Sequence, residues 1–253
     1  MGAWFHERII DTGRLPLFCF FVALVVGFGF IRLSVRLIRA QVKWWPGNVQ
    51  PGGLHIHHVV FGVVFMVVGG VVGISIPDKE LVWLSISSGI FGLGTALVLD
   101  EFALILHLED VYWTEEGRTS VDAVFVAVAL TGLLVLGVKP FGLDEVAVRT
   151  ASGEIDRLST DVALATIILI NGGLAAITLI KGKLWTGLIG VFLPLLLIVG
   201  AIRLARPNSP WAHRRYKKRP RKEAKAQHRE SRYRQPAMKA KDWLQDVIGG
   251  RPS

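Results

Sequence analysis

Cysteine is almost missing from this chain. Cys19 stands alone, so an intramolecular disulfide, a CxxC redox pair and a cysteine-based metal array are all excluded. It lies inside an apolar run and reads as a small packing residue. The usual catalytic signatures are missing as well. There is no GxSxG, no Walker loop and no HExxH. Gly89-x-x-Gly92-x-Gly94 has the wrong spacing for a dinucleotide fingerprint and sits in an apolar stretch, so it reads as helix packing. Ser85, Ser87 and Ser88 have no base near them in sequence. No internal repeat is visible, and biased composition is confined to the C-terminal tail.

What the chain does have is apolar length. Hydrophobic residues make up 51% of it, and the mean hydropathy is +0.46. The apolar residues fall in long runs at 15–31, 59–76, 81–99, 123–138, 162–180 and 184–202. Each comes close to the roughly 20 residues that cross a bilayer core as a helix. Small residues recur inside the runs, among them Gly27, Gly29, Gly62, Gly69, Gly70, Gly73, Gly92, Gly172 and Gly173, where helices can approach closely in lipid. The first run lacks a small-residue cleavage site and continues through Arg32, Arg36 and Arg39, so it is not a cleaved signal. The pattern predicts an all-α membrane protein, a bundle of about six transmembrane helices followed by a disordered basic tail. The expected spans are about 15–37, 56–76, 81–107, 120–138, 160–180 and 184–203, giving a membrane domain over 1–204 and a tail over 205–253.

Charge is polarised. The tail holds 15 of the 29 Lys and Arg but only 4 of the 20 Asp and Glu, so the preceding residues carry 14 basic and 16 acidic groups. A tail this basic belongs in the cytoplasm, and six crossings then place the N-terminus there too, in a multi-pass plasma-membrane topology. One feature conflicts: Arg32, Arg36, Arg39 and Lys43 fall on the outer side. Either protein partners hold them or the span count is off by one. The tail is too charged to fold alone. It suits a solvated topology determinant, or adhesion to anionic headgroups with a short amphipathic helix over about 237–248 lying on the membrane. That helix carries Ala240, Trp243, Leu244, Val247 and Ile248 on one face. Nucleic acid is a weaker partner, because no recognition motif accompanies the charge. Other membrane proteins are further candidate partners.

Breakers divide the remainder. Trp44-Trp45-Pro46-Gly47 and Pro51-Gly52-Gly53 make a Trp-anchored turn, and Pro77-Asp78-Lys79-Glu80 makes a tight one. A small β-hairpin fits 146–155. Asn171, the main polar group inside a later span, reads as a helix-packing hydrogen bond.

Ionisable groups gather in one region. A helical hairpin centred on Asp78–Lys79 sets His57 beside Asp100 and His58 beside Leu99, with Glu101 within a turn. His55, His57, His58, Asp100, Glu101, His107, Asp110 and Asp122 then cluster at one membrane face. Three readings follow. Imidazoles beside carboxylates can hold a divalent transition metal (zinc, iron or manganese), with His55, His57, His58, His107 and Asp110 as ligands. Glu101 and Asp100 would then be the catalytic ligand or base, and Arg32 and Arg36 would bind an anionic headgroup. That is a metal-dependent hydrolase or transferase acting on a lipid-linked or phosphate-bearing substrate. The second reading is structural: the histidines cap the second span and bond the carboxylates, while Arg32, Arg36 and Arg39 neutralise them, forming a polar lock in a non-catalytic envelope or scaffold subunit. The third is a proton-coupled transporter, disfavoured because the polar groups sit at one face. Whether the chain is an enzyme is open at this stage.

His55-Ile56-His57-His58, Leu99-Asp100-Glu101-Phe102-Ala103-Leu104 and His107-Leu108-Glu109-Asp110-Val111-Tyr112-Trp113 resemble a group of uncharacterised actinobacterial multi-pass integral membrane proteins. The exit from the last run, Arg203-Leu204-Ala205-Arg206-Pro207 to Tyr216, is similar to theirs. The resemblance implies an actinobacterial plasma membrane and carries no activity. One short histidine cluster does not match the several separated boxes of membrane desaturases.

Overall fold

In the computed structural model the described residues are 2–46, 57–76, 80–108, 118–143, 156–217 and 219–249. Among them every regular element is helical. In chain order these are α1 (Gly2–Phe5, running on as a π turn, His6–Ile10), α2 (Leu15–Arg39), α3 (His58–Ser75), α4 (Leu81–Asp100), α5 (Phe102–His107) and α6 (Arg118–Val135). They continue as α7 (Arg157–Ile180), α8 (Leu184–Gly190), α9 (Pro194–Ile202), α10 (Pro210–Arg215), α11 (Pro220–Arg229) and α12 (Gln235–Gly249). The β-hairpin expected over 146–155 lies outside the described residues.

Five helices, α2, α3, α4, α6 and α7, are long and apolar enough to cross a membrane. Their outward faces are continuous hydrocarbon. On α3 alone Val60, Phe61, Val63, Val64, Val67, Val68, Val71 and Val72 are exposed. Water would penalise an apolar patch of that size, and lipid would not.

The chain forms two units, Met1–Leu136 with Lys241–Ser253, and Gly137–Ala240. In the first, α4 packs against α2, α3 and α6. Glycines set the approach. A Cβ on Gly94 would lie 2.7 Å from the Gly62 carbonyl oxygen and the Met66 nitrogen, and one on Gly69 would lie 2.7 Å from the Ser87 oxygen and the Phe91 nitrogen. Gly92 meets the Phe20 backbone as closely, whereas Gly29, Gly89, Gly172 and Gly173 face open space and do not serve this role. Backbone obstructs backbone at Gly94, so Gly94→Val should separate α3 from α4 and cost several kcal/mol through lost packing. Gly89→Val should cost less than about 1 kcal/mol. Thermal melts of the two detergent-solubilised variants make the comparison. Leu24, Phe28, Ile31, Ala96 and Val124 form the buried core beside these contacts.

The expected sixth span does not form a single helix. Residues 184–202 fold into a hairpin: α8 and α9 are short, and Leu193 before Pro194 has non-helical backbone (φ −124°, ψ 84°). Proline disfavours helix in its predecessor and has no N–H to donate, which breaks the run there. The two arms return on each other. A Cβ on Gly190 would lie 3.2 Å from the Leu197 nitrogen, and Lys183 Nζ donates to the Gly200 carbonyl at 2.6 Å and the Arg203 carbonyl at 2.9 Å. In a straight helix, residues 183 and 203 would be about 30 Å apart. Neither arm, at about 10 and 14 Å, spans a bilayer.

Backbone groups at the hairpin tip find partners. The Phe141 N–H, in the 3₁₀ turn Pro140–Gly142, donates to the Val191 carbonyl at 2.5 Å, and Asn171 Nδ2 donates to the Phe141 carbonyl at 2.8 Å. Asn171 thus serves a turn and not a neighbouring long helix. Non-helical backbone in an apolar setting requires such partners. At the hairpin base Lys181 Nζ donates to the Ala201 and Arg203 carbonyls, so two ammonium groups cap the C-terminus of α9. Gly182 makes the turn with φ +76°. A buried Thr178 fills the notch left by Gly200.

The basic segment carries the helix expected over about 237–248, as α12, but is also helical over α10 and α11, where disorder was expected. Its composition forbids a large core, but a small one forms from Ala205, Ala212, Tyr216 and Ala226 with Leu204 and Trp211. Tyr216 Oη accepts the Ala205 N–H at 2.9 Å, and Ser209 caps α10 by accepting the Ala212 N–H at 3.2 Å. Lys181 and Arg215 stack on the Trp211 ring at 5.1 and 5.3 Å.

Candidate functional site

The polar cluster lies where α2, α3 and α4 meet, and its register follows from the hairpin between α3 and α4. His57 Nδ1 is 2.8 Å from Glu101 Oε1, and His58 Nε2 is 3.1 Å from Asp100 Oδ2. The pairing expected from the turn is therefore displaced by one residue: His57 meets Glu101 and His58 meets Asp100. His58 Nδ1 also lies 3.4 Å from Glu101 Oε1. On the other side of α4, Arg32 Nε approaches Asp100 Oδ1 at 2.7 Å. Asp100 is fully buried, and Glu101 and Arg32 are 5% and 7% exposed. Ions held that far from solvent persist only when paired and hydrogen-bonded.

Glu101 has a second task. Its Oε2 accepts the Val59 N–H at 2.7 Å. Val59 is in the first turn of α3, whose backbone N–H groups have no partner within the helix, so the side chain at the break between α4 and α5 caps α3. Of the two roles expected of the histidines, His57 and His58 take the contact with the carboxylates, and the side chain of His57 does not cap α3. The cost falls on α4, which was expected to run on to residue 107. At Glu101 the backbone leaves helical geometry (φ −103°, ψ 23°), and α5 begins afresh. The Ala103 N–H is taken up by Ser120 Oγ of α6 at 2.9 Å. Ser120 is buried and draws α6 into the assembly.

The remaining candidates divide. Arg36 and Arg39 are exposed on α2, and Arg32 is the arginine of the expected stripe that reaches Asp100. His107 is exposed on α5 beyond the break and is not brought to His57 or His58. His55 and Asp110 lie outside the described residues. Among the described residues no group of three or more His, Cys, Asp or Glu side chains is disposed to hold a metal ion. His57 and His58 direct ring nitrogens at carboxylate oxygens, and which nitrogen donates follows the tautomer.

Asp122 belongs to a different contact. Lys241 Nζ and Gln245 Nε2 of α12 donate to its two oxygens at 2.5 and 2.9 Å, while Arg118 bonds Asp246 at 2.6 Å. The polar face of α12 is turned to the first turn of α6, leaving Trp243 and Val247 exposed. Sequence periodicity had identified that apolar face but not what holds the other. The i, i+4 spacing of Lys241 with Gln245 and of Asp242 with Asp246, opposite Arg118 and Asp122, was the available signal.

Comparison with protein-family models, curated proteins and solved structures finds no match for this chain. Its class is therefore defined by architecture alone: an all-helical protein with five membrane-compatible helices and a buried Arg–Asp–His–Glu cluster joining three of them.

Proposed function

We propose that the chain is a non-catalytic multi-pass envelope protein, a scaffold subunit of the plasma membrane, in which Arg32, Asp100, His58, Glu101 and His57 form a polar lock. The observation that carries this reading is the complete burial of Asp100 between a guanidinium from α2 and an imidazole from the head of α3. In hydrocarbon, separating those helices would strand ions without water, so the cluster fixes which helices associate and in what register. A catalytic carboxylate needs an approach for substrate, and the cluster residues are directed at one another.

Topology follows the same proposal. Five crossings with an α8–α9 re-entrant hairpin put the basic tail on the face where α2 ends. Arg36, Arg39, Lys43, Lys181, Lys183 and the tail then share one side. That side is cytoplasmic by the positive-inside rule, and the N-terminus is outside. The conflict posed by six crossings disappears. Docking of Lys241 and Gln245 onto the first turn of α6, on that same face, supports it.

Glu101→Gln and His57→Ala distinguish the lock from a metal site. Each should lower the melting transition of the detergent-solubilised protein, by about 1–3 kcal/mol for an imperfectly paired buried group. EDTA should leave wild type unchanged. A wild-type melt that EDTA lowers to the level of the variants would establish the metal reading instead.

A further inference from the structure

The unit Gly137–Ala240 contains a cavity of about 520 Å³ with Lys183, Arg203, Arg206, Arg229 and Arg234 in its lining. Among the described residues one carboxylate, Glu230, lines it, and Arg234 engages that group at 3.0 Å. Lys183 is occupied in holding the end of α9. The guanidinium groups of Arg203, Arg206 and Arg229 therefore gather around the space with no carboxylate at ion-pair distance among the described residues. Much of the remaining lining is apolar, including Val199, Leu204, Ala205 and Ala226.

Crowding of like charges is costly, and its effect is visible on Lys183. Burial first, then the charges of Lys181, Arg203, Arg229 and Arg206, pull its ammonium down to about 8. Burial also lowers Arg206. Both displacements would be relieved by an anion in the cavity. A planar guanidinium presents paired N–H donors that match the oxygens of phosphate, and several around one space suit a group carrying more than one such oxygen. Arg203 is exposed, and Arg206 and Arg229 are half-buried along the lining. Here α9, α11 and the π turn Glu230–Arg234 gather them around one volume.

The geometry points to a phosphate-binding site in this cavity, with Arg203, Arg206 and Arg229 as the anion-holding residues. The apolar lining beside α9 suits the headgroup and glycerol of an anionic phospholipid, and a free phosphate ion shares the recognition chemistry. This narrows diffuse adhesion of a basic tail to a built site, and it does not depend on the polar lock.

The test titrates the full-length protein in neutral detergent with dihexanoyl-phosphatidylglycerol, dihexanoyl-phosphatidylcholine and inorganic phosphate. Arg203→Gln/Arg229→Gln should weaken phosphatidylglycerol binding by a factor of roughly ten for each guanidinium contact removed. The charge-matched pair Arg219→Gln/Arg221→Gln, exposed and outside the lining, should change it less than about twofold. If the first pair disturbs folding, Arg203→Lys/Arg229→Lys retains the charge and loses only the paired donors, so a weakening between those limits is expected. Saturable phosphatidylglycerol binding that phosphate does not displace assigns the site to a lipid, and displacement by phosphate assigns it to a free phosphoanion. Equal losses in the Arg203/Arg229 and Arg219/Arg221 glutamine pairs, or no binding of either anion to wild type, would overturn the proposal.

Discussion

Asp100→Asn lowers the stability of the detergent-solubilised protein by about 3–5 kcal/mol, the usual consequence of removing one partner from a buried ion pair. The reason is local. Asn cannot balance the Arg32 guanidinium, which is 7% exposed and approaches Asp100 at 2.7 Å. The amide also offers a donor where His58 Nε2 now meets a carboxylate oxygen at 3.1 Å. For a chain of this size the loss corresponds to a melting shift on the order of 10 °C. Arg36→Gln, one turn along α2 and exposed, should stay within about 0.5 kcal/mol of wild type. A large effect at both positions would mean that net charge, and not the buried pair, governs stability.

The second large effect is two-valued. In a Cys19→Ser background, single cysteines replace Ala3, Lys43 and Ser231, all exposed and outside the long helices. An impermeant maleimide applied to intact cells should label Ala3→Cys, whereas Lys43→Cys and Ser231→Cys should react only after permeabilisation. Five crossings and a re-entrant hairpin require that pattern. Six crossings would put positions 3 and 231 on one side and 43 on the other. Labelling of Lys43→Cys alone in intact cells would therefore restore the sixth span.

Hydrophobic runs made the long helices legible, because a bilayer-length apolar stretch has few other uses. The cluster was legible for a similar reason: two antiparallel helices joined by a short turn leave little freedom in register, and the error was one residue. The hairpin at 184–202 was hidden by hydropathy, which counts apolar residues without regard to direction. Pro194 was the readable sign, with Gly190 where the two arms meet and Gly187 and Gly200 where they meet Thr178 of α7. The helices α10 and α11 escaped notice because composition averages over 49 residues, while the small core uses only Ala205, Ala212, Tyr216 and Ala226. Arg36 and His107 were misplaced for a different reason. Helical spacing puts a residue on a face, but only packing decides whether another helix covers that face, and the break at Glu101 turns α5 away.

The polar lock is tested most directly by a double-mutant cycle on Arg32→Met and Asp100→Leu, measured as unfolding free energy in one detergent. Each single variant strands a buried ion and should be strongly destabilised, whereas the double variant removes both ions and should recover much of the loss. The lock predicts a coupling energy of about 1–3 kcal/mol between the two positions. Additivity within about 0.5 kcal/mol would show that Arg32 and Asp100 act independently, and would contradict the account.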